Sequence, residues 1–420
     1  MRCLQPSLWC LGLLGWLFWV GQGPVSASSV RLLEVETPPT AASEAFERLR
    51  AAGFDALYNL DYRRARAAFE ELTRLDPTHP AGYLDIANCM WAEKLYRLRR
   101  LQATTYAGTS FFADTTEIFD RDFDQRYREA IALVIRVADA RLKTNPRDTV
   151  ALYYKGAAHG LLGAYEATIT RAFLAALSHS NQAVALHREV LKLAPDYTDA
   201  NLSIGLYNYV MGSLPLPVKI LAALGGVRGS KKRGLALVVK VADEGRTARE
   251  VARLLLIALY KREKRYAEAL PYLEAFARQY PANYVARLEL ADTLVRLGRT
   301  DEGIALFEQL VREPSASAYR DAIHYQLADV LITVGRIDAA LPHLRAVTTL
   351  TGANPDLVTL AQLRLGEAHD AAGRRAEAVA AYQAVLRRRN VFDAHARAQA
   401  HLKKPYTLAT PDTTAPTVEE

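Results

Sequence analysis

The chain has 420 residues, half of them hydrophobic, with a formal charge of +7 and three cysteines. So mild a charge over this length, with no base-stacking motif, gives no footing for nucleic acid. Only Cys89 lies beyond the first ten residues, which excludes an internal disulfide framework, so stability has to come from packing.

Residues 1–27 read as a secretory signal peptide: Arg2, an uncharged apolar run over 8–20, then the small-residue site Val25-Ser26-Ala27. The run is shorter than the roughly 20 residues a bilayer-spanning helix wants. An uncleaved anchor is the alternative. Cleavage sends the chain out of the cytoplasm, to the periplasm or the exterior in a bacterium. Residues 28–45, with Thr37-Pro38-Pro39-Thr40, read as a tether.

The stretch 46–77 predicts two helices. Leu49, Ala52, Gly53 and Ala56 share one face of the first, Asn59-Leu60-Asp61 makes the turn, and Ala65, Phe69 and Leu72 line the second. Asp76-Pro77 stops it, since proline restrains the residue before it and has no N–H. The same pairing of a small residue with a bulky one four positions on recurs as Ala269/Leu273, Gly303/Phe307, Ala340/Leu344 and Ala378/Tyr382. Those small residues stand 34, 37 and 38 residues apart. Gly298-Arg299, Gly335-Arg336 and Gly373-Arg374 form the turns, glycine suiting the left-handed end of a helix. A two-helix period near 34 is the pattern of tetratricopeptide repeats, and the chain resembles that family. The resemblance implies an all-α, right-handed superhelix (solenoid) of antiparallel helix pairs that serves as a binding surface.

Two regions follow from this: an N-terminal repeat-like region with insertions (46–245) and a C-terminal array (246–404). In the first, helices are expected over 83–101 and 126–144, separated by the aromatic, Thr-rich "TTYAGTSFFADTTEIFD". A helix over 150–162 with Gly156 at its close-packing position comes next, then one long helix over 166–193. Asp120, Asp122 and Asp124 are read as caps for the helix that follows them.

After Gly205, Tyr207 and Tyr209, Gly212 is expected to end a helix. Leu214-Pro215-Leu216-Pro217 is then a stiff connector. A short apolar helix over 218–224, with Val218, Lys219 and Leu221, precedes a basic glycine loop carrying Arg228, Lys231, Lys232 and Arg233, and a further helix starts at Gly234. Gly212, Leu214, Pro215, Lys219, Gly226, Gly229, Gly234 and Leu235 match a block that resembles one in exported bacterial tetratricopeptide proteins. It is more loosely similar to the family of the mitochondrial outer-membrane inclusion-clearance protein. Those relatives commonly have Gly-Asp in the turn, where this chain has Gly229-Ser230-Lys231, so no role of that acidic residue carries over. The resemblance implies shared architecture and a membrane-proximal scaffold role, and no activity. From the residues themselves, 218–224 either covers a bare repeat face or meets a membrane interface or partner.

On the inward-facing first helices of the last three units, the ninth positions are Asp292, Asp329 and Glu367, with Asp370 adjacent. They form an expected acidic ladder, with Tyr325 and leucines as apolar contacts, for a basic or extended polar segment of a protein or peptide. The bland reading pairs Asp292 with Arg296 one turn on. The family's carboxylate clamp uses lysine and asparagine here, where this chain has Leu288/Asp292, Tyr325/Asp329 and Leu363/Glu367.

Nothing in the chain calls for catalysis or a cofactor. His159, His179 and His187 lack metal-ligand spacing, and the 225–232 glycine stretch lacks the Gly-Lys-Ser/Thr of a phosphate loop. Residues 387–404 read as a polar final helix, and 405–420 as a disordered acidic tail. The sequence reading is therefore an exported, non-catalytic scaffold binding proteins or peptides in its concave groove. The alternative is a peripheral envelope or membrane-associated factor using 214–233.

Overall fold

The computed structural model describes residues 41–101, 119–214, 216, 219 and 228–408. The leader, most of the expected tether, the interruption at 102–118, most of 215–227 and the tail from 409 lie outside them. Seventeen α-helices occupy the described residues, and the chain divides into two compact units between Glu263 and Lys264.

The first unit holds α1 (Ala41–Tyr58), α2 (Tyr62–Leu75), α3 (Pro80–Arg97), α4 (Arg121–Thr144), α5 (Thr149–Tyr165), α6 (Phe173–Leu193), α7 (Asn201–Ser213), α8 (Lys231–Glu244) and α9 (Arg249–Arg262). Neighbours pair α1 with α2, α3 with α4, α5 with α6 and α7 with α8, and each pair packs on the next. The second unit holds α10 (Tyr266–Gln279), α11 (Tyr284–Arg296), α12 (Thr300–Arg312), α13 (Arg320–Thr333), α14 (Ile337–Thr349), α15 (Pro355–Ala371), α16 (Arg375–Leu386) and α17 (Ala394–Lys403). Its pairs are α11/α12, α13/α14 and α15/α16, with α17 covering the last. This is a helical solenoid of the tetratricopeptide type. The division falls later than the sequence boundary at 245/246 because α9 packs on α8 within the first unit.

The small and bulky residues that set the period are buried: Ala65 and Phe69, Ala269 and Leu273, Ala340 and Leu344, Ala378 and Tyr382, and Phe307 beside Gly303. Small residues let the paired helices approach. A Cβ on Gly53 would collide with the Phe69 ring, and one on Gly366 with the Tyr382 ring. The Gly-Arg turns adopt left-handed backbone at Gly298, Gly335 and Gly373, with φ of 79°, 77° and 74°. Asp61, Asp120 and Asp148 start their helices by accepting the N–H of Arg64, Phe123 and Ala151.

Several boundaries differ from expectation for local reasons. α3 starts at Pro80, a first-turn position proline tolerates. The long helix over 166–193 is broken. A π-turn spans Glu166–Thr170 and Arg171 is left-handed at φ 57°, because Thr168 and Thr170 bond back to the Ala164 and Glu166 carbonyls. α8 begins at Lys231, capped by Ser230, so Lys231, Lys232 and Arg233 lie on its first turn and not in a loop. α1 already begins at Ala41, within the stretch read as a tether.

Two buried polar centres fix the first unit. Arg50 of α1 donates to both Asp85 oxygens, at 2.6 and 3.1 Å, and to Thr247 Oγ1 at 3.4 Å. Asp199 accepts the N–H groups of Arg246, Thr247 and Ala248 at 2.9 to 3.1 Å. The turn before α9 is thereby tied to α1 and α3. At the second centre a Cβ on Gly156 would touch the His187 ring at 2.5 Å, and that ring stacks on Tyr153 with centroids 5.1 Å apart. His187 Nε2–H donates to the Tyr153 carbonyl at 2.9 Å, while the Ser203 hydroxyl donates to Nδ1 at 2.6 Å. Both nitrogens are engaged by the neutral ring, and burial pushes its pKa from 6.5 to about 4.

Between those two values the unfolded chain holds the proton and the folded one does not. The stability His187 contributes is present above 6.5 and lost as pH falls to about 4, a total of roughly 3 kcal/mol. Thermal unfolding followed by circular dichroism should show His187→Asn losing less stability than wild type between neutral pH and pH near 4. An equal loss in both would assign the acid sensitivity elsewhere.

Candidate functional site

The sequence points to the first helices of the second unit, α11, α13 and α15, and the structure places Asp292, Asp329 and Glu367 on them in that order. Their environments are not equivalent. Both oxygens of Asp292 accept from Arg296 Nε at 3.0 Å, an exposed pair one turn apart. Asp329, its side chain 46% exposed, pairs with Arg364 of the next unit. Glu367 is 0% exposed and receives Arg364 at 2.8 Å and Arg397 at 2.6 Å, with His401 Nε2 at 3.5 Å. Asp370, 1% exposed in its side chain, takes Arg375 at 2.9 Å, the Tyr382 hydroxyl at 2.9 Å and the Tyr406 backbone N–H at 2.9 Å.

The expected ladder of open carboxylates is thus a zipper in which arginines alternate with acids. Four carboxylates meet four guanidiniums, so this row carries no free negative charge for a basic ligand. Glu367 and Asp370 are closed to one, since the chain's own α17 and Tyr406 occupy them. Burial opposes the charge on Arg364, but Asp329 and Glu367 more than offset it and its pKa rises above the ordinary range. Tyr325 is half-buried one turn before Asp329, and burial, then that carboxylate, pushes its hydroxyl up to about 12. Asp292, Tyr325 and Asp329 remain the accessible members of the row.

Sequence reading offered Arg296 for Asp292 and missed the other arginines. The pair Arg364/Glu367, three residues apart on a helix, was legible; Arg397, thirty residues from Glu367, was not. The Gly-Arg turns hold a second set. Arg299 reaches Glu274 at 3.6 Å, Arg336 reaches Asp301 at 2.7 Å and Arg374 reaches Asp338 at 2.5 Å, each on the preceding second helix.

In the first unit, segment 214–233 is described only at its edges. Leu214 and Lys219 are half-buried, and Leu216 is 71% exposed. Pro215, Val218 and Leu221 lie outside the described residues. Lys231 is paired with Glu263 at 2.7 Å, which also accepts from the Tyr209 hydroxyl at 2.6 Å. Arg228, Lys232 and Arg233 are exposed. The glycines matching the relatives' block have a packing reason. A Cβ on Gly234 would lie 2.6 Å from the Gly205 carbonyl oxygen, one on Gly212 would lie 2.7 Å from Ser230, and one on Gly229 would lie 2.6 Å from the Gly212 nitrogen. α7 and α8 meet backbone to backbone.

Open cavities line the surface of the described residues. One, of about 590 Å³, lies beside Arg136, Asp139, Lys143 and Lys155; another, of about 500 Å³, lies beside Glu274, Arg278, Arg287 and Glu313. Neither adjoins the acidic row. Among the described residues no three His, Cys, Asp or Glu side chains converge as metal ligands, and no helix is long and apolar enough to cross a membrane. His159 and His179 meet through their Nδ1 atoms at 3.2 Å, and so do His324 and His343 at 2.8 Å.

Removing one member of a buried ion network strands the others and costs roughly 3 kcal/mol, whereas an exposed pair is worth at most about 1 kcal/mol. Glu367→Gln should therefore loosen α17, seen as faster hydrogen exchange over 394–406, while Asp292→Asn leaves exchange unchanged. Equal protection in both variants would refute the zipper's hold on α17.

Residues 50–97 and 325–394 match one tetratricopeptide repeat model and residues 260–323 match another. No curated protein matches the chain in sequence. Among solved structures it is similar to a thermophilic TPR protein of Thermus thermophilus, at 15% identity over 60% of this chain and 99% of that one, TM-score 0.33. It is also similar to the human IFIT1 dimer with m7Gppp-AAAA, at 12% identity over 88% of this chain and 86% of that one, TM-score 0.39. Yeast Tom70 matches at 11% identity over 85% of this chain and 87% of that one, TM-score 0.36. The three matched stretches include the helix pairs built on Ala65/Phe69, Gly303/Phe307, Ala340/Leu344 and Ala378/Tyr382. Over these stretches the chain carries tetratricopeptide repeats, which indicate a protein-interaction scaffold.

Proposed function

We propose that this is an exported, non-catalytic scaffold that takes an extended protein or peptide segment along α11 and α13 of the second unit. The observation that carries the reading is the contrast within the row. Glu367 is consumed by α17 and Asp370 by α16 and Tyr406, while Asp292, Arg296, Tyr325 and Asp329 stay partly open to solvent. A partner with basic or alternating charges can exchange for Arg296 or Arg364 at these carboxylates at little cost, because exposed pairs hold weakly. The half-buried Tyr325 adds an amphipathic contact between them. Export rests on the leader at 1–27, and the repeat fold is typically non-catalytic.

A second reading, a peripheral membrane or envelope factor, is favoured by the exposure of Arg228, Lys232 and Arg233 in the first unit and by that of Leu216.

The test fractionates the native source and purifies the chain from whichever fraction holds it; the exported fraction is expected, with an N-terminus at Ser28. Affinity capture with Asp292→Lys/Asp329→Lys should lose a partner that wild type retains. Arg364 keeps Glu367 in that variant, so the unit stays folded. A cytoplasmic chain beginning at Met1 would refute export, and an unchanged partner set would refute the groove.

A further inference from the structure

The turn between α16 and α17 carries Arg387, Arg388 and Arg389, all exposed, followed by Phe392, a residue 64% exposed. Its neighbours Val391 and Ala394 are buried. Phe392 and Asp393 are both left-handed, with φ of 46° and 60°, which is rare for a bulky residue and marks strain held by its surroundings. The hold is visible. Asn390 Oδ1 accepts the His395 N–H at 3.0 Å, His395 Nε2–H donates to the Arg388 carbonyl at 2.8 Å, and the Ala394 N–H reaches the Val391 carbonyl at 2.9 Å. The turn is a built knob that keeps an aromatic ring in water beside three cations.

Helix-end electrostatics accounts for a cation after α16, but neither for three in a row nor for the ring. Among the described residues no carboxylate pairs with any of the three, and the ring stands out from the turn while its chain neighbour Val391 is buried. A peptide needs a groove, whereas a protruding knob suits a planar anionic surface. Guanidiniums bind phosphate and carboxylate oxygens through paired N–H groups, and aromatic rings settle at headgroup depth.

We propose that residues 387–393 contact the surface of an anionic lipid bilayer, the arginines taking headgroup oxygens and Phe392 entering the interface. The contact is independent of the groove reading and uses different residues from the 214–233 reading. Two weak signals act together, as stable peripheral attachment requires.

The chain is sedimented with phosphatidylcholine vesicles, with and without phosphatidylserine. Wild type should pellet with the anionic vesicles only, and less so in high salt. Replacing all three arginines by Gln should lower the partition coefficient about a hundredfold. Phe392→Asn, which keeps the left-handed turn, should lower it roughly tenfold. The same losses are expected in a Val218→Asp background, which separates this turn from the 214–233 segment. Equal pelleting of wild type and both variants in that background would overturn the proposal. So would a wild type that ignores anionic vesicles while only the arginine variant loses an acidic protein on affinity capture.

Discussion

Everything in this architecture depends on how closely two helices of a pair can approach. Bulky residues on the second helices need small ones opposite, and Gly53 against Phe69 or Gly366 against Tyr382 leaves no room for a single methyl group. At α7 and α8 the demand is greatest, since Gly205 and Gly234 bring backbone against backbone. Close packing of this kind is felt at the level of one methylene, so the small positions set the spacing from which each following helix is hung.

Charge supplies a second, weaker order on top of that packing. Arginines after the turn glycines reach acids of the preceding second helix, and Arg364 ties Asp329 to Glu367 between first helices. Most of these pairs are exposed and contribute little to stability individually. Their regularity matters for function: an acidic row that is already answered by arginines reads a partner by exchange and not by net attraction. Only toward the C-terminus, where α17 closes over Glu367 and Tyr406 over Asp370, does the network become buried and costly to disturb.

The first unit follows the same packing rule with different fastenings. Arg50 and Asp85 form a buried ion pair inside a wall of aromatic rings, and Thr247 joins it from a turn 197 residues along the chain. A pair of this kind is weak evidence for stability, since its desolvation cost is large, but it fixes which elements meet. Asp199 reinforces the choice by binding three successive N–H groups before α9.

Sequence alone determined the helix pairs, their period, the left-handed glycine turns and the cap at Asp120 (Asp122 and Asp124, read with it, lie inside the first turn of α4), because each depends on residues within one or two helical turns of each other. It also marked Asp292, Asp329 and Glu367 as equivalent positions, which they are by register. Only the tertiary structure decided that they differ in access, because Arg397 and Tyr406 arrive from a helix and a stretch of chain beyond the repeat. The break at Glu166–Thr170, the start of α8 at Lys231 and the exposure of Phe392 were likewise set by contacts or backbone states that leave no periodic trace. Local pattern fixes which face a side chain shares; what occupies the space above that face comes from elsewhere in the chain.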